Sequence, residues 1–170
     1  IYEKEKEKTA QIILDADLVF TLDFNALHRT GEMELILKKV TAPFIMIDHH
    51  QKPDDYAKYM FSDSKYGSTC EMLFHFIVNL GYKKSIDKTI ATCIYTGIVT
   101  DSGSFRFPST SSTTHRVVAD LIDIGIENGA VHNNLFDNNS YDRLRLLGQA
   151  LQNMKILYDK KTSYITLSQK

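Results

Sequence analysis

The sequence has few of the residues that mark membrane or disulfide-rich secreted proteins. Among its 170 residues are two cysteines, three prolines and no tryptophan. Cys70 and Cys93 are too few for a disulfide framework and lie in apolar, helix-like runs, where small buried side chains are expected. Both are consistent with a reducing cytoplasm, which is the expected location. No apolar run approaches the roughly 20 residues that a membrane-spanning helix needs, and no secretory signal is visible.

An excess of charge of either sign is also missing. The net charge is −1, and 43% of the residues are hydrophobic and 24% charged, as in an ordinary globular domain. There is therefore no basic field that would hold long nucleic acids without sequence preference. An anionic substrate would need a localised site, and bound cations would be the most effective way to build one.

Helical and strand patterns alternate along the first part of the chain. The Glu/Lys run at 3–8, with alternating sign, predicts a solvated helix. The apolar runs Leu18–Leu22 and Phe44–Ile47 predict buried strands, the first buried on both faces, and Gly31–Lys39 between them has helical spacing. Because strands alternate with helices, we expect an α/β fold with a parallel sheet.

Helices dominate the remainder of the chain. Ser68, with Glu71 three residues later, forms a capping-box pattern that predicts a helix ending at Gly81. The other expected elements are a short strand at Tyr59–Phe61, a helix at about Asp87–Val99, a helix from Ser112 or Thr113 to Ile124, a helix at about Ser140–Leu157 and a strand at Tyr164–Leu167.

Polar residues follow two of the predicted strands. Asp23 follows the first, and Asp48-His49-His50 follow the second. In open parallel sheets, ligands bind beyond the carboxyl ends of the strands, so these side chains could share a metal. Adjacent residues in extended chain point to opposite sides; we therefore expect one histidine to bind metal and the other to face the substrate, with Asp48 orienting an imidazole. An Asx turn at Asp23 and a solvated turn at the histidines are the alternatives.

A third polar stretch, Thr100–Phe107, follows an apolar helix. Asp101 lies at the end of that helix, where the partial negative charge of the helix favours a nearby cation. Gly103 would let the backbone approach a ligand closely, and Arg106 could bind a phosphate through two hydrogen bonds. An ordinary helix end with an Asp/Ser/Gly stop explains the stretch about as well.

Taken together, the three stretches resemble a known family. In order and spacing, Asp23, Asp48-His49-His50 and Asp101-Ser102-Gly103 resemble three of the four motifs of the DHH phosphoesterases. Longer stretches resemble its branch of oligoribonucleases (nanoRNases) and phosphoadenosine-phosphate (pAp) phosphatases: Leu22–Asn25, Met46–His50, Ser68–Met72, Tyr95–Arg106 and Thr113–Arg116. The resemblance covers nearly the whole chain and implies a Rossmann-like, mostly parallel sheet flanked by helices.

The resemblance also implies roles for individual residues. The family has a two-metal site, usually holding Mn²⁺, and Asp23 resembles the carboxylate that bridges the two ions. His49 and Asp101 resemble ligands of one ion, and His50 resembles the histidine that faces the substrate phosphate or leaving group, with Asp48 in support.

Three further residues are weaker candidates for contacting the substrate. They are Arg106, Asn25 and His115. Arg106 is the strongest of the three, because it lies between two aromatic residues just after the third motif. A capped helix accounts for His115 almost as well as substrate binding does.

Two parts of the family pattern do not occur in the sequence. The first motif, His-x-x-x-Asp-x-Asp, would precede Ile1, and a C-terminal domain with a glycine- and histidine-rich substrate clamp would follow Lys170. We expect residues 1–157 to form the DHH catalytic domain without its first motif, and 158–170 to form a linker and the first strand of the missing domain. The chain would then hold one metal ion and be incomplete for activity.

The implied reaction is hydrolysis of phosphodiesters or phosphomonoesters. Its expected substrates are short single-stranded oligoribonucleotides, 3′-phosphoadenosine 5′-phosphate or products of cyclic dinucleotides; mixed carboxylate and imidazole ligands suit Mn²⁺ better than thiolate-binding metals. The alternatives are another hydrolase of the superfamily (a cyclic-dinucleotide phosphodiesterase, pyrophosphatase or single-strand exonuclease), a degenerate nucleotide-binding domain and a response-regulator-like domain. No membrane partner is expected, and a homodimer is compatible with the sequence.

Overall fold

A three-stranded parallel sheet carries the candidate site. The computed structural model describes residues 4–168. Strands β1 (Val19–Leu22), β2 (Phe44–Asp48) and β3 (Tyr59–Ser62) lie in that order, and each neighbouring pair is parallel. The register places Leu22 beside Ile47, so β1 and β2 end at the same edge of the sheet. The predicted α/β fold, with a parallel sheet flanked by helices, is confirmed.

The strands differ in burial because of their order in the sheet. Met46, Ile47 and Asp48 of the middle strand β2 have no exposed surface. The prediction that the first strand is buried on both faces is wrong, since Phe20 is 46% and Leu22 is 39% exposed. Within the described residues β1 pairs with β2 alone, and a strand at the edge of a sheet is covered less completely than a central one.

The segments before β1 and β2 are partly helical. Helix α1 (Lys6–Leu14) has no buried residue, which agrees with the predicted solvated helix; Glu3, which begins that prediction, lies outside the described residues. The helix predicted at Gly31–Lys39 is wrong in its first part. Leu27–Met33 is a 3₁₀ stretch in which Gly31 adopts a φ of 61°, and only Glu34–Leu37 forms helix α2. A positive φ interrupts a right-handed helix.

Three longer helices follow the sheet. They are α3 (Thr69–Asn79), α4 (Lys88–Asp101) and α5 (Ser112–Asp123). The Ser68 hydroxyl accepts a hydrogen bond from the Glu71 N–H, so the predicted cap of α3 is confirmed. The cap predicted for α5 is wrong by one residue.

The cap of α5 is Ser111. Its hydroxyl accepts a hydrogen bond from the Thr114 N–H, while the Thr114 hydroxyl accepts one from the Ser111 N–H. This reciprocal pair satisfies two backbone donors at the start of the helix, and it depends on the residue three positions further along being Thr114. Ser112 and Thr113, the two predicted caps, are therefore already helical.

A buried carboxylate joins α3 to α5. Glu71 is only 2% exposed, and its Oε2 accepts a hydrogen bond of 2.9 Å from the Thr114 hydroxyl. A capping-box pattern predicts that the Glu71 carboxylate accepts a hydrogen bond from the Ser68 backbone N–H. In the structure the carboxylate instead accepts one from Thr114 of α5. A buried carboxylate without a donor would be costly, so the bond fixes the first turn of α3 against α5.

The chain divides between Asn128 and Gly129 into two compact units. The second contains helix α7 (Tyr141–Gln152) and an antiparallel pair of short strands, β4 (Lys155–Leu157) and β5 (Thr162–Tyr164). The helix predicted to reach Leu157 is therefore too long, and the last strand lies earlier than predicted. Helix α6 (Asn128–His132) and the π-helical stretch Asn133–Asp137 were not predicted.

The domain boundary expected between residues 157 and 158 stays a prediction. Strands β4 and β5 lie on either side of that position and pair with each other. None of the helices within residues 4–168 combines the length and the hydropathy needed to cross a bilayer.

Candidate metal centre

Asp23 follows β1 in an unusual backbone conformation. Its φ is 68°, in the left-handed region, which costs a non-glycine residue about 1–2 kcal/mol. Two contacts hold it there: its N–H donates to the Ile47 carbonyl (3.2 Å), and its Oδ1 accepts a hydrogen bond of 2.9 Å from the Thr69 hydroxyl. The carboxylate is thereby directed over the end of the sheet.

His49 presents a lone pair to two carboxylates. Its Nδ1 lies 3.2 Å from the Tyr66 carbonyl oxygen, and a carbonyl can only accept. We therefore assign the proton to Nδ1, which leaves Nε2 as an acceptor. Nε2 is 3.6 Å from Asp23 Oδ1 and 3.9 Å from Asp101 Oδ2. The structure thus brings His49 close to both predicted carboxylate ligands. Among the described residues, however, the ligand atoms that all lie within 4.8 Å of one another belong to Asp23, His49 and His50, without Asp101.

Asp48 fixes the orientation of His50. Asp48 is fully buried, and its two oxygens accept hydrogen bonds of 2.8 Å from the His50 backbone N–H and from His50 Nδ1. Nδ1 carries a proton in this pair, and the outer nitrogen of the ring takes no part in the contact. These contacts support the orienting role predicted for Asp48, which stays a prediction.

From the sequence, the imidazoles of His49 and His50 are expected to point to opposite sides of the chain. In the structure they lie close together. Their ring centroids are 4.7 Å apart, and ligand atoms of Asp23, His49 and His50 all lie within 4.8 Å of one another. Strand β2 ends at Asp48, so the alternation of side chains in extended chain no longer applies to the two residues that follow.

We expect Asp48→Asn to lower the free energy of unfolding by about 1–3 kcal/mol, the cost of leaving a buried donor without an acceptor. An amide has one acceptor oxygen, whereas His50 presents two donors to Asp48. Urea denaturation would measure the loss. The matched control is Asp63→Asn, because Asp63 Oδ1 accepts one N–H, from Lys65, in an exposed turn. Equal losses in the two variants would contradict this account of Asp48.

The electrostatics of the cluster fit a bound cation. Burial raises the pKa of the Asp101 carboxyl, and repulsion by Asp23 raises it further, against an opposing effect of His49 and His50. A cation at this point would offset the repulsion between the carboxylates of Asp23 and Asp101. Two atoms each about 2.1 Å from one divalent ion lie at most about 4.2 Å apart, and the two separations measured from His49 fall within that limit. The donor set fits a divalent cation.

A thiolate does not take part in this cluster. Cys70 follows Thr69, and burial, with the negative charges of Asp101 and Asp23 as smaller causes, raises the pKa of its thiol to about 11. The thiol is therefore protonated at neutral pH and is a poor metal ligand. The oxygen and imidazole donors instead suit the harder divalent ions.

The backbone after Asp101 is tightly turned. Gly103, Ser104 and Phe105 have φ values of 57°, 59° and 65°. The Ser102 carbonyl accepts hydrogen bonds from the backbone N–H groups of Arg106 and Phe107, at 3.0 Å each. A Cβ on Gly103 would lie 2.6 Å from the Phe107 ring, so this turn requires glycine.

Arg106 and His115 lie at the surface near this turn. Arg106 Nε donates a hydrogen bond of 2.7 Å to the Gly103 carbonyl, and the residue is exposed. His115 is also exposed, and its ring centroid is 5.6 Å from that of Phe105. Contact of either residue with a substrate stays a prediction.

Asn25 makes its contacts within the protein. It is 5% exposed, its Nδ2 donates to the Gln51 carbonyl (2.8 Å), and its Oδ1 accepts from Arg29 (3.2 Å). Its own carbonyl accepts from the Asp54 N–H (2.8 Å). Asn25 therefore ties the loop after β1 to the loop after β2, and its predicted contact with a substrate remains a prediction.

Two residues of the site received no role from the sequence. Thr69 binds the Asp23 carboxylate, and the Tyr66 carbonyl binds His49. A signal existed for Thr69, because it lies in the stretch Ser68–Met72 that resembles the family. No signal existed for Tyr66, since a carbonyl belongs to every residue and its position depends on the turn that contains it.

The chain is similar to a family model and to several known proteins. Residues 1–98 match the model of the DHH family, N-terminal domain. The bifunctional oligoribonuclease and PAP phosphatase of Thermus thermophilus is 35% identical over 108 residues, 63% of this chain and 32% of that protein. The Bacillus subtilis protein of the same name is 28% identical over 116 residues, 68% of this chain and 37% of that protein.

A solved structure matches nearly the whole chain. An exopolyphosphatase-related protein from Bacteroides fragilis superposes with a TM-score of 0.95 and 36% sequence identity, over 98% of this chain and 49% of that one. The chain spans about a third of the curated relatives and about half of the solved chain. From the matched family model, these relatives and the site, the chain belongs to the DHH family of phosphoesterases, in the branch of the bifunctional oligoribonucleases and PAP phosphatases.

Proposed function

We propose that this protein is a metal-dependent phosphoesterase that hydrolyses short oligoribonucleotides, 3′-phosphoadenosine 5′-phosphate, or both. The observation that carries the proposal is the position of His49 Nε2 between the carboxylates of Asp23 and Asp101. A metal-dependent phosphoesterase holds a cation where the phosphate is attacked, to stabilise negative charge and activate water, and these acceptor atoms are suited to bind one.

Asp23, His49 and Asp101 would hold a divalent ion, with Mn²⁺ the expected metal because the donors combine carboxylates and an imidazole. Bound there, the ion would supply charge stabilisation and an activated water. A second ion, which the family resemblance implies, would share Asp23. The end of helix α4 contributes its partial negative charge beside Asp101, which further favours a cation.

Ligand atoms of His50, His49 and Asp23 lie within 4.8 Å of one another. Asp48 binds Nδ1 of the His50 ring, so the outer nitrogen is not used in that contact. In the proposed function this nitrogen contacts the substrate phosphate or the leaving oxygen, and Asp48 stabilises the ring when it gains a proton. Arg106 is the candidate for a second contact with the phosphate, since its side chain is exposed beside the turn after Asp101.

The proposed substrates are short for two reasons. The net charge of −1 provides no extended basic surface, and long nucleic acids are held mainly through many phosphate contacts. The Thermus thermophilus and Bacillus subtilis relatives are named for oligoribonuclease and PAP phosphatase activities. A cytoplasmic location and a homodimer belong to the same proposal.

The test is hydrolysis by the full-length protein with Mn²⁺. The substrates are a 5′-phosphorylated diadenylate, 3′-phosphoadenosine 5′-phosphate, a cyclic dinucleotide and pyrophosphate, and products are separated by chromatography. We expect AMP from the diadenylate or from the bisphosphate. Hydrolysis of pyrophosphate alone, or of the cyclic dinucleotide alone, would favour another hydrolase of the superfamily. Nucleotide binding without Mn²⁺ binding or hydrolysis would indicate a degenerate domain.

A further inference from the structure

The hydroxyl of Thr69 donates a hydrogen bond to one of the proposed metal ligands. Thr69 is 4% exposed and is the first residue of α3. Its Oγ1 donates a hydrogen bond of 2.9 Å to Asp23 Oδ1, the same oxygen that lies 3.6 Å from His49 Nε2. The contact joins residues 46 positions apart in the chain, so it depends on the tertiary fold.

Asp23 needs such a contact more than an ordinary carboxylate does. Its backbone is in the left-handed region, and its side chain is 57% exposed. An exposed aspartate samples several rotamers, and ordering a side chain costs entropy. A donor on Oδ1 occupies one lone pair and restricts the rotamer in which this oxygen lies 3.6 Å from His49 Nε2.

The donor itself is held firmly. Ser68 caps α3 and is 1% exposed. Two residues after Thr69, Glu71 is fixed to Thr114 of α5. On the other side, a Cβ on Gly67 would lie 3.3 Å from the Ser109 carbonyl oxygen, so this turn packs closely against the segment before α5. Thr69 is therefore placed by α5 as much as by its own helix.

We propose that Thr69 is a positioning residue, whose hydroxyl holds the Asp23 carboxylate in the orientation that binds the divalent ion. This inference rests on the proposed function, since it assigns a role toward the ion that Asp23 would bind. The hydroxyl acts through Asp23 and does not touch the substrate. Because the hydroxyl orders the Asp23 side chain before the ion binds, the entropy cost of binding is smaller and the affinity for the ion is higher.

The test measures Mn²⁺ binding to the full-length protein by isothermal titration calorimetry, without substrate. Thr69→Val removes the donor and keeps the branched shape, whereas Thr69→Ser keeps the donor. Partners that orient a metal ligand typically contribute about 10–100-fold in affinity. We expect a weakening in that range for Thr69→Val and a change of less than about threefold for Thr69→Ser. Thr92→Val is the matched control, since the Thr92 hydroxyl donates to the Lys88 carbonyl within α4 and not to a proposed metal ligand.

The unfolding free energy, measured in parallel with urea, separates positioning from stability. A merely structural Thr69 would lose unfolding free energy on substitution by valine while the folded protein kept its Mn²⁺ affinity, and that result would overturn the inference. An equal loss of affinity in Thr69→Ser would overturn it too, because the hydroxyl would not be the active group. If Thr69→Val does not fold, the Mn²⁺ affinities of Thr69→Ala and Thr69→Ser are compared instead, since these two variants also differ by one hydroxyl. Wild-type protein that binds no Mn²⁺ would overturn the proposed function, and this inference with it.

Discussion

Asp23→Asn is expected to weaken Mn²⁺ binding by at least about 100-fold and to reduce hydrolysis in proportion. Loss of a partner that only orients a ligand costs about 10–100-fold, and Asp23 is placed to be a ligand itself. Asparagine is the informative replacement, because it tolerates the left-handed φ of 68°. It can also keep an oxygen as the acceptor for Thr69. The substitution therefore removes the negative charge with little change to the backbone.

The control for this variant is Asp17→Asn. Asp17 precedes β1, whereas Asp23 follows it, and Asp17 is exposed. The two variants change the net charge equally and lie at opposite ends of one strand. We expect Asp17→Asn to keep the Mn²⁺ affinity and the turnover of the wild type. If Asp23→Asn kept normal turnover, the proposed role of Asp23 would be wrong, and equal losses in both variants would point to net charge as the cause.

The sequence predicts the position of the site because the site depends on strand order. Apolar runs ending in Asp23 and Asp48 predict two parallel strands, and parallel strands end at one edge. The structure has both features. The motif at Asp101 needed the family resemblance, since nothing in the spacing alone says where the end of α4 lies relative to the sheet.

Other features were set by contacts that a linear pattern does not contain. The two histidines lie beyond the end of β2, where the alternation of side chains along a strand no longer applies. Glu71 bonds to Thr114, 43 positions away, in place of its own helix cap. Phe20 and Leu22 are partly exposed because β1 pairs on one side among the described residues. In each case burial or a partner decides the outcome, and both are properties of the folded chain.

The packing of α3 against α4 leads to the second large effect. A Cβ on Gly97 of α4 would overlap the Sγ of Cys70 and lie 2.9 Å from its Cβ. Overpacking of this kind typically costs about 1–3 kcal/mol, so we expect Gly97→Ala to lower the unfolding free energy by that amount. Cys70 lies next to Thr69, and Gly97 lies one helical turn before Asp101. Separation of the two helices should therefore also weaken Mn²⁺ binding.

Gly148→Ala gives a matched comparison, because Gly148 lies within α7 and, apart from its chain neighbours and the backbone of its own helix, no atom of the described residues lies within 4 Å of the position its Cβ would take. Alanine is favoured over glycine inside helices by about 0.8–1.0 kcal/mol, so this variant should be more stable than the wild type. Urea denaturation would measure the change in unfolding free energy in both variants. A loss in Gly97→Ala and a gain in Gly148→Ala would show that contact with Cys70, and not helix propensity, decides the effect at Gly97.

Adding Cys70→Ala to Gly97→Ala removes Sγ and should recover part of both the stability and the Mn²⁺ affinity, since neighbouring substitutions are not additive. A strictly additive double variant would contradict the direct contact.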